Sequence, residues 1–261
     1  MPHATPVVCL HSSASSGRQW RRLAATGAAW RWHTPDLYGH GQRPDWPELM
    51  PNRLEVEAQG VLAGLPLDAG LAFHLVGHSY GGAVALQLAL LQPARVLSLT
   101  LYEPVAFGLL PGPETGDAAS MEIAEVARAL TLALARADDF GAARGFCAYW
   151  QGRDIWPELQ VDQQLRMADA MPTVKRHFDA LFAARWTPAQ LAGLDIPVRL
   201  LCGTATRASA RAVAARLAER LPRASLQMLE GADHMAPIGE AARVNALILG
   251  SLERLQRLVA A

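Results

Sequence analysis

The sequence lacks several features that are typical of membrane, secreted or nucleic-acid-binding proteins. No run of apolar residues approaches the ~18 residues of a membrane-spanning helix. Residues 1–10 contain neither the basic region nor the cleavage site of a secretory signal. Lysine occurs once, at Lys175, and the 24 basic residues are balanced by 24 acidic ones. We therefore expect no membrane partner and no nucleic-acid partner, since the chain has neither an apolar anchor nor an excess of positive charge.

Cysteine is also scarce. The three cysteines, Cys9, Cys147 and Cys202, are an odd number and lie far apart in the sequence. This pattern favours reduced thiols over a disulfide framework, and it predicts a cytoplasmic location. The sequence has no Cys/His cluster with metal-ligand spacing and no G-x-G-x-x-G after a predicted strand. We therefore expect no metal and no organic cofactor.

The 261 residues do contain a regular alternation of short apolar runs and helical stretches. Six runs are apolar and bounded by turn residues, as buried strands are: residues 6–10, 30–34, 71–76, 96–102, 197–202 and 225–229. Strands that alternate with helices predict an α/β fold, in which helices cover both faces of a mostly parallel sheet.

The segment between the fourth and fifth predicted strands has a different pattern. From Pro104 to about Pro188 no strand is evident. Helical periodicity covers four stretches instead: residues 121–137, 140–150, 161–171 and 174–184. A purely helical segment between two β-rich parts indicates an inserted cap. Large aromatic residues in it, Trp150 and Trp156, are candidate substrate contacts, although aromatic residues at helical spacing more often belong to a core.

A G-x-S-x-G pentapeptide, GHSYG at residues 77–81, separates a predicted strand from a predicted helix. This context is typical of a nucleophile elbow, a sharp turn that holds a serine hydroxyl exposed. Glycine at both ends allows the backbone to pass close to its neighbours. The alternative is a tight turn in which Ser79 only caps the helix. The strand before the motif and the helix after it favour Ser79 as a nucleophile.

A serine hydroxyl needs a base, and the sequence offers one. His234 lies in a loop after the last predicted strand, at the edge of the sheet where open α/β proteins build their sites. An oxyanion needs donors as well, and the backbone N–H of Tyr80 is one candidate. A second N–H should come from the loop at residues 10–17, which could otherwise be a flexible serine-rich connection.

Four segments resemble α/β-hydrolase fold proteins of the esterase, perhydrolase and haloalkane-dehalogenase type. They are LHSSASSGRQW (10–20), PDLYGHGQRP (35–44), GHSYGG (77–82) and GADHMAPI (231–238). The resemblance implies that Ser13 is the second oxyanion donor. It also implies a core domain of residues 1–105 and 186–261 with residues 106–185 as the cap. The family's N-terminal hairpin is missing, so the resemblance implies about six strands.

The position of the triad acid departs from the family pattern. The family usually carries this acid just after the fifth predicted strand, where residues 203–207 contain no carboxylate. Asp195 lies at the wrong end of that strand, and Asp233 adjoins His234 too closely to reach its Nδ1. Glu103 ends the fourth predicted strand and gives the chain order serine, acid, histidine. We therefore predict Glu103 as the acid; alternatively, it only caps a turn or binds an arginine.

Together these residues predict a serine hydrolase that cleaves an ester or related acyl bond of a small, largely apolar substrate. Ser79 would form an acyl-enzyme, with His234 as the base and Glu103 as its acid partner. Fold and triad do not exclude perhydrolysis, C–C bond hydrolysis or acyl transfer at the same site. A binding or sensor protein with a weakened triad is the alternative from another class, because residues 203–207 lack the expected acid.

Overall fold

The computed structural model describes residues 4–26, 29–68 and 70–260, with side chains as far as residue 255. Within these residues the strands are β1 (Pro6–Leu10), β2 (Arg31–His33), β3 (Phe73–His78), β4 (Val96–Tyr102), β5 (Val198–Gly203) and β6 (Ala224–Leu229). The helices are α1 (Arg21–Thr26), α2 (Leu54–Gly64), α3 (Tyr80–Leu91), α4 (Ala118–Ala135), α5 (Asp139–Gln151), α6 (Val161–Ala183), α7 (Pro188–Ala192), α8 (Ala208–Arg220), α9 (Ala236–Gly239) and α10 (Ala241–Ala260).

The strands form one parallel sheet in the order β2-β1-β3-β4-β5-β6. This confirms the predicted α/β fold with about six strands. The order reverses between β1 and β3, because the chain turns outwards to β2 on one side and to β4 on the other. The loops after β1 and β3 therefore lie side by side at the carboxyl edge, which is where open α/β sheets bind their ligands.

Each face of the sheet packs against its own apolar cluster. Strand β1 is buried throughout, with Val8 and Leu10 facing one cluster and Val7 and Cys9 facing the other. This alternation is the two-residue period of a strand whose two faces are both covered. Burying one such side chain contributes roughly 1.5–3 kcal/mol, so the central strands are held rigidly under the site.

The segment between β4 and β5 contains α4, α5 and α6, and their buried side chains join the same cluster as Val8 and Leu10. One boundary differs from the sequence prediction. Residues 161–171 and 174–184 were expected to form two helices, but α6 is continuous through Pro172. Proline removes one helical hydrogen bond. The helix continues because Pro172 faces solvent while a stripe of side chains is buried on the opposite side: Met171, Val174, Phe178 and Leu181.

Among the described residues, no helix is both long enough and apolar enough to cross a membrane.

Candidate active site

Ser79 lies at the sharp turn between β3 and α3, with φ 55° and ψ −122°. A non-glycine residue with this backbone conformation stores roughly 1–3 kcal/mol of strain, which the surrounding structure must hold. The two flanking glycines explain how the turn fits. A Cβ on Gly81 would lie 2.4 Å from the carbonyl oxygens of Leu10 and His11, and one on Gly77 would lie 2.6 Å from a backbone carbon. The local sequence therefore produces the elbow that the motif predicts.

The structure brings Ser79, His234 and Glu103 together. The Ser79 hydroxyl donates to His234 Nε2 at 2.9 Å, and His234 Nδ1–H donates to Glu103 Oε2 at 2.7 Å. Both distances are those of normal hydrogen bonds. Because a carboxylate only accepts, it fixes the proton on Nδ1 and leaves Nε2 free to accept the serine proton. All three side chains are buried, with at most 5% of their surface exposed.

Glu103 follows β4 directly, and three donors satisfy its buried carboxylate. Gly203 N–H donates to Oε1 at 2.8 Å, while Thr206 Oγ–H donates to Oε2 at 2.6 Å alongside His234. The loop in which a carboxylate was expected therefore supplies hydrogen bonds to a carboxylate from the neighbouring strand. Unpaired, such a fully buried charge would be very costly, so these donors account for its position.

Neither of the other acids considered from the sequence reaches His234. Asp233 Oδ1 accepts the backbone N–H of Met235 at 2.8 Å and so caps its own turn. Asp195 precedes β5, at the amino-terminal end of the sheet, where its carboxylate lies 3.9 Å from Arg223.

Two side chains that the sequence reasoning missed hold the histidine loop. His78 Nε2–H donates to the His234 carbonyl at 2.8 Å, and Gln19 donates to His78 Nδ1 at 3.0 Å. Gln19 Oε1 in turn accepts from the backbone N–H and the hydroxyl of Ser12. Burial lowers the pKa of His78 well below its usual range, which agrees with a neutral ring that donates once and accepts once. The chain of bonds ties the loop after β1 to the loop after β6.

The backbone amides of Ser13 and Tyr80 make no hydrogen bond within the part of the chain that the structure describes. Ser13 lies in the loop after β1, next to Ala14, which has a left-handed φ of 54°. The Ala14 N–H donates to His40 Nε2 at 2.9 Å. His11 Nε2 likewise accepts a backbone N–H, and burial lowers its pKa to about 3. Buried, neutral imidazoles therefore hold this loop, a role that the sequence pattern did not indicate.

The inserted helices reach the same residues. Trp150 of α5 stacks on the His234 ring, with the ring centroids 3.8 Å apart and the planes at 24°. His177 of α6 stacks on Tyr80 at 3.6 Å and 7°. Trp156 contacts the ring of Phe140 at 6.0 Å, rather than a residue of the triad. Of the two aromatic candidates, only Trp150 is thus placed against the triad, and His177 is an additional residue there.

Comparison with known proteins agrees with this geometry. The model of the alpha/beta hydrolase family matches residues 7–247. The putative carbamate hydrolase RutD of Variovorax paradoxus (strain S110) is 31% identical over 210 residues, which cover 76% of this chain and 72% of RutD. Lipase LipV of Mycobacterium tuberculosis (strain ATCC 25618 / H37Rv) is 36% identical over 98 residues, which are 38% of this chain and 36% of LipV. The matched part of this chain thus spans little more than a third of the length of LipV.

Solved structures share the fold. The 2-hydroxy-6-oxo-6-phenylhexa-2,4-dienoate hydrolase BphD from Rhodococcus sp. strain RHA1 aligns with a TM-score of 0.73, over 97% of this chain and 92% of BphD. Its sequence identity of 22% means that the likeness concerns the fold alone. The match of the family model over nearly the whole sequence is the stronger finding. The chain therefore belongs to the alpha/beta hydrolase family.

Proposed function

We propose that the protein is a serine hydrolase that cleaves an ester or a related acyl bond of a small, largely apolar substrate. The observation that carries this proposal is the buried chain of hydrogen bonds from Ser79 through His234 to Glu103. The Ser79 hydroxyl lies against one imidazole nitrogen of His234 and the Glu103 carboxylate lies against the other, which is the arrangement that nucleophilic catalysis requires.

The reaction proceeds in two halves. His234 Nε2 takes the proton of Ser79 as the oxygen attacks the substrate carbonyl, and Glu103 stabilises the imidazolium. The backbone N–H groups of Ser13 and Tyr80 stabilise the oxyanion, and neither has another hydrogen-bond partner among the described residues. His234 then returns the proton to the leaving alcohol, which leaves an acyl group on Ser79. Water activated by the same imidazole hydrolyses this acyl-enzyme.

Residues 106–185 form a cap that selects the substrate. Trp150 on His234 and His177 on Tyr80 support this role, because both contacts come from helices inserted between β4 and β5. A cavity of about 500 Å³ lies beside α4 and the end of α6, and its wall combines apolar residues such as Phe107 and Phe182 with the charged Glu114 and Arg185. None of its described lining residues belongs to the triad. Its volume suits a small ligand, and the apolar part of its wall would accommodate an apolar acyl or alcohol group. Trp156 remains a candidate contact in this proposal.

LipV, RutD and BphD are named as a lipase, a putative carbamate hydrolase and a dienoate hydrolase, so the fold alone does not identify the substrate. An ester is proposed because it needs only the groups present: a nucleophile, a base and two backbone donors. The three donors on Glu103 support an intact acid over the weakened triad of a binding or sensor protein.

The test is covalent labelling followed by turnover. A fluorophosphonate probe should label the wild-type protein at Ser79, identified by peptide mass spectrometry, and should not label Ser79→Ala. A panel of p-nitrophenyl esters of increasing chain length should then be hydrolysed. A carbamate and 2-hydroxy-6-oxo-6-phenylhexa-2,4-dienoate, the compound for which BphD is named, should be compared in parallel. A folded wild-type protein that is neither labelled nor active on any ester contradicts the proposal. Faster turnover of the carbamate or the dienoate would assign another bond to the same site.

A further inference from the structure

His177 is the one side chain of α6 described in contact with both residues to which the proposed function assigns the oxyanion. Its Nδ1 lies 2.8 Å from the hydroxyl oxygen of Ser13. Its ring lies parallel to that of Tyr80, with the centroids 3.6 Å apart. A residue from the inserted helices therefore bridges the two loops, after β1 and after β3, that the core brings side by side.

The partners of His177 are themselves held from the other side. The Tyr80 hydroxyl donates to the buried carboxyl group of Glu57 at 3.3 Å. The His40 ring lies 5.1 Å from that of His177 at an angle of 17°. His40 Nε2 accepts a hydrogen bond from the backbone N–H of Ala14, the residue with the left-handed φ. Strained backbone persists only where its surroundings determine it, so the position of Ser13 depends on these contacts.

Stacking alone does not explain a histidine at this position. The ring is buried, and its Nε2 has no hydrogen-bond partner among the described residues. A phenylalanine would keep the stacking on Tyr80 and would avoid an unsatisfied buried nitrogen. What the imidazole adds is the hydrogen bond between Nδ1 and Ser13. Burial lowers the pKa of His177 well below its usual range, so a neutral ring makes this bond.

We propose that His177 is a positioning residue of the oxyanion hole, through which the inserted helices fix the backbone N–H groups of Ser13 and Tyr80. The inference rests on the proposed function, since it concerns how that site stabilises its transition state. Because His177 belongs to α6, a substrate that displaces this helix would also change the geometry of the oxyanion donors. Substrate fit in the cap and reaction rate are then coupled through one side chain.

A double-mutant cycle tests the hydrogen bond. His177→Phe and Ser13→Ala should each lower kcat for a short ester by about 10- to 100-fold, with a much smaller change in KM, because small displacements of aligned groups cost rate more than binding. The double variant should be no slower than the slower single variant, since both changes remove the same bond. His177→Asn should recover part of the rate, because its amide can occupy the position of Nδ1.

A transition-state analogue separates positioning from packing. An alkyl trifluoromethyl ketone adds to Ser79 Oγ and forms an oxyanion, so its affinity should fall by the same factor as kcat in His177→Phe. Arg166→Gln, on the exposed face of α6, is the matched control and should leave both values unchanged. Full kcat in His177→Phe, or additive losses in the double variant, overturns the inference. If His177→Phe does not fold, Ser13→Ala and His177→Asn decide it. A wild-type protein without esterase activity instead contradicts the proposed function.

Discussion

The core and the inserted helices contribute to the candidate site in different ways. The core places Ser79, Glu103 and His234 at the ends of strands and joins them by hydrogen bonds of 2.7 and 2.9 Å. The inserted helices add Trp150 and His177, whose rings stack on residues of the core. Backbone pairing of the sheet fixes strand ends, whereas a stacked ring moves with its helix. The core should therefore determine whether a bond is cleaved, and the inserted helices should determine which substrate is accepted and, through His177, how well the oxyanion is stabilised.

Removal of the nucleophile is the strongest test of the core's part. Ser79→Ala should lower kcat/KM for any substrate by on the order of 10⁴ to 10⁶, because the rest of the triad cannot act without its nucleophile. The melting temperature should not fall, since the serine hydroxyl makes no bond besides that to His234 among the described residues. Purified variant and wild-type protein should be compared by initial rates and thermal denaturation. Near-normal turnover in the variant would contradict the assignment of Ser79.

Substitution of the acid should have the next largest effect. Glu103→Gln should lower kcat/KM by roughly 10² to 10⁴, because an amide no longer holds the proton on Nδ1 of His234 or stabilises the imidazolium. Asp233→Asn is the matched control and should change the rate far less, since that carboxylate caps its own turn. Kinetics of both variants at one pH decide the question. If Asp233→Asn proves the more damaging change, Glu103 is not the acid.

Different kinds of residue were predictable from the sequence to different extents. The apolar runs predicted the six-stranded sheet, and their order placed Ser79, Glu103 and His234 at one edge of it. Glu103 was inferred from the end of a strand, although its hydrogen bonds to Gly203 and Thr206 were not. These contacts join residues about 100 positions apart in the chain. A local sequence pattern does not show which distant residues come into contact. The catalytic roles of the three residues remain predictions.

The contacts made by the inserted helices could be predicted even less well from the sequence, for the same reason. Trp150 was one aromatic residue among several, and nothing in its neighbours distinguished it from Trp156. Nothing in the sequence around His177 distinguishes it from the other histidines, because helical periodicity gives the buried face of a helix but not the side chain that it contacts. Two helices were predicted around Pro172, but α6 continues through this proline. Buried apolar contacts can therefore maintain a helix at a residue that usually ends one.

Selectivity should change when the contact from α5 is removed. Trp150→Ala should change the ratio of kcat/KM between a long-chain and an acetyl ester by about 10-fold, as pocket contacts of this size usually do. The rate on the acetyl ester should fall by about 2- to 30-fold, since the lost stacking on the His234 ring is worth about 0.5–2 kcal/mol when that ring is charged. Trp156→Ala should alter the ratio less, because its described ring contact is with Phe140. Equal effects of the two substitutions would contradict this division of roles.

The last expected effect concerns stability rather than rate, at Glu57, whose side chain accepts a hydrogen bond from Tyr80 in the core. Burial raises the pKa of Glu57 to about 7 from an ordinary 4.5, because the charged form loses its water. Between these pH values the folded protein keeps a proton that the unfolded chain releases, so the stability due to this proton is lost as the pH rises to about 7. Glu57→Gln cannot ionise and should gain about 3 kcal/mol in the free energy of unfolding relative to wild type from pH 4.5 to 7.5.

In both the wild-type protein and Glu57→Gln, the buried histidines change the stability with pH in the opposite direction. Burial lowers the pKa values of His11 and His74 to about 3 and about 4. Below pH 6.5 the unfolded chain therefore binds protons at these histidines that the folded protein does not bind. Stability from this source falls as the pH falls. Both proteins contain the same histidines, so subtracting their urea-unfolding free energies at each pH isolates Glu57. Glu55→Gln, on the same helix but only half-buried, should show no comparable gain. A difference between Glu57→Gln and wild type that does not vary with pH would mean that the Glu57 carboxyl group ionises in the folded protein with its ordinary pKa of 4.5.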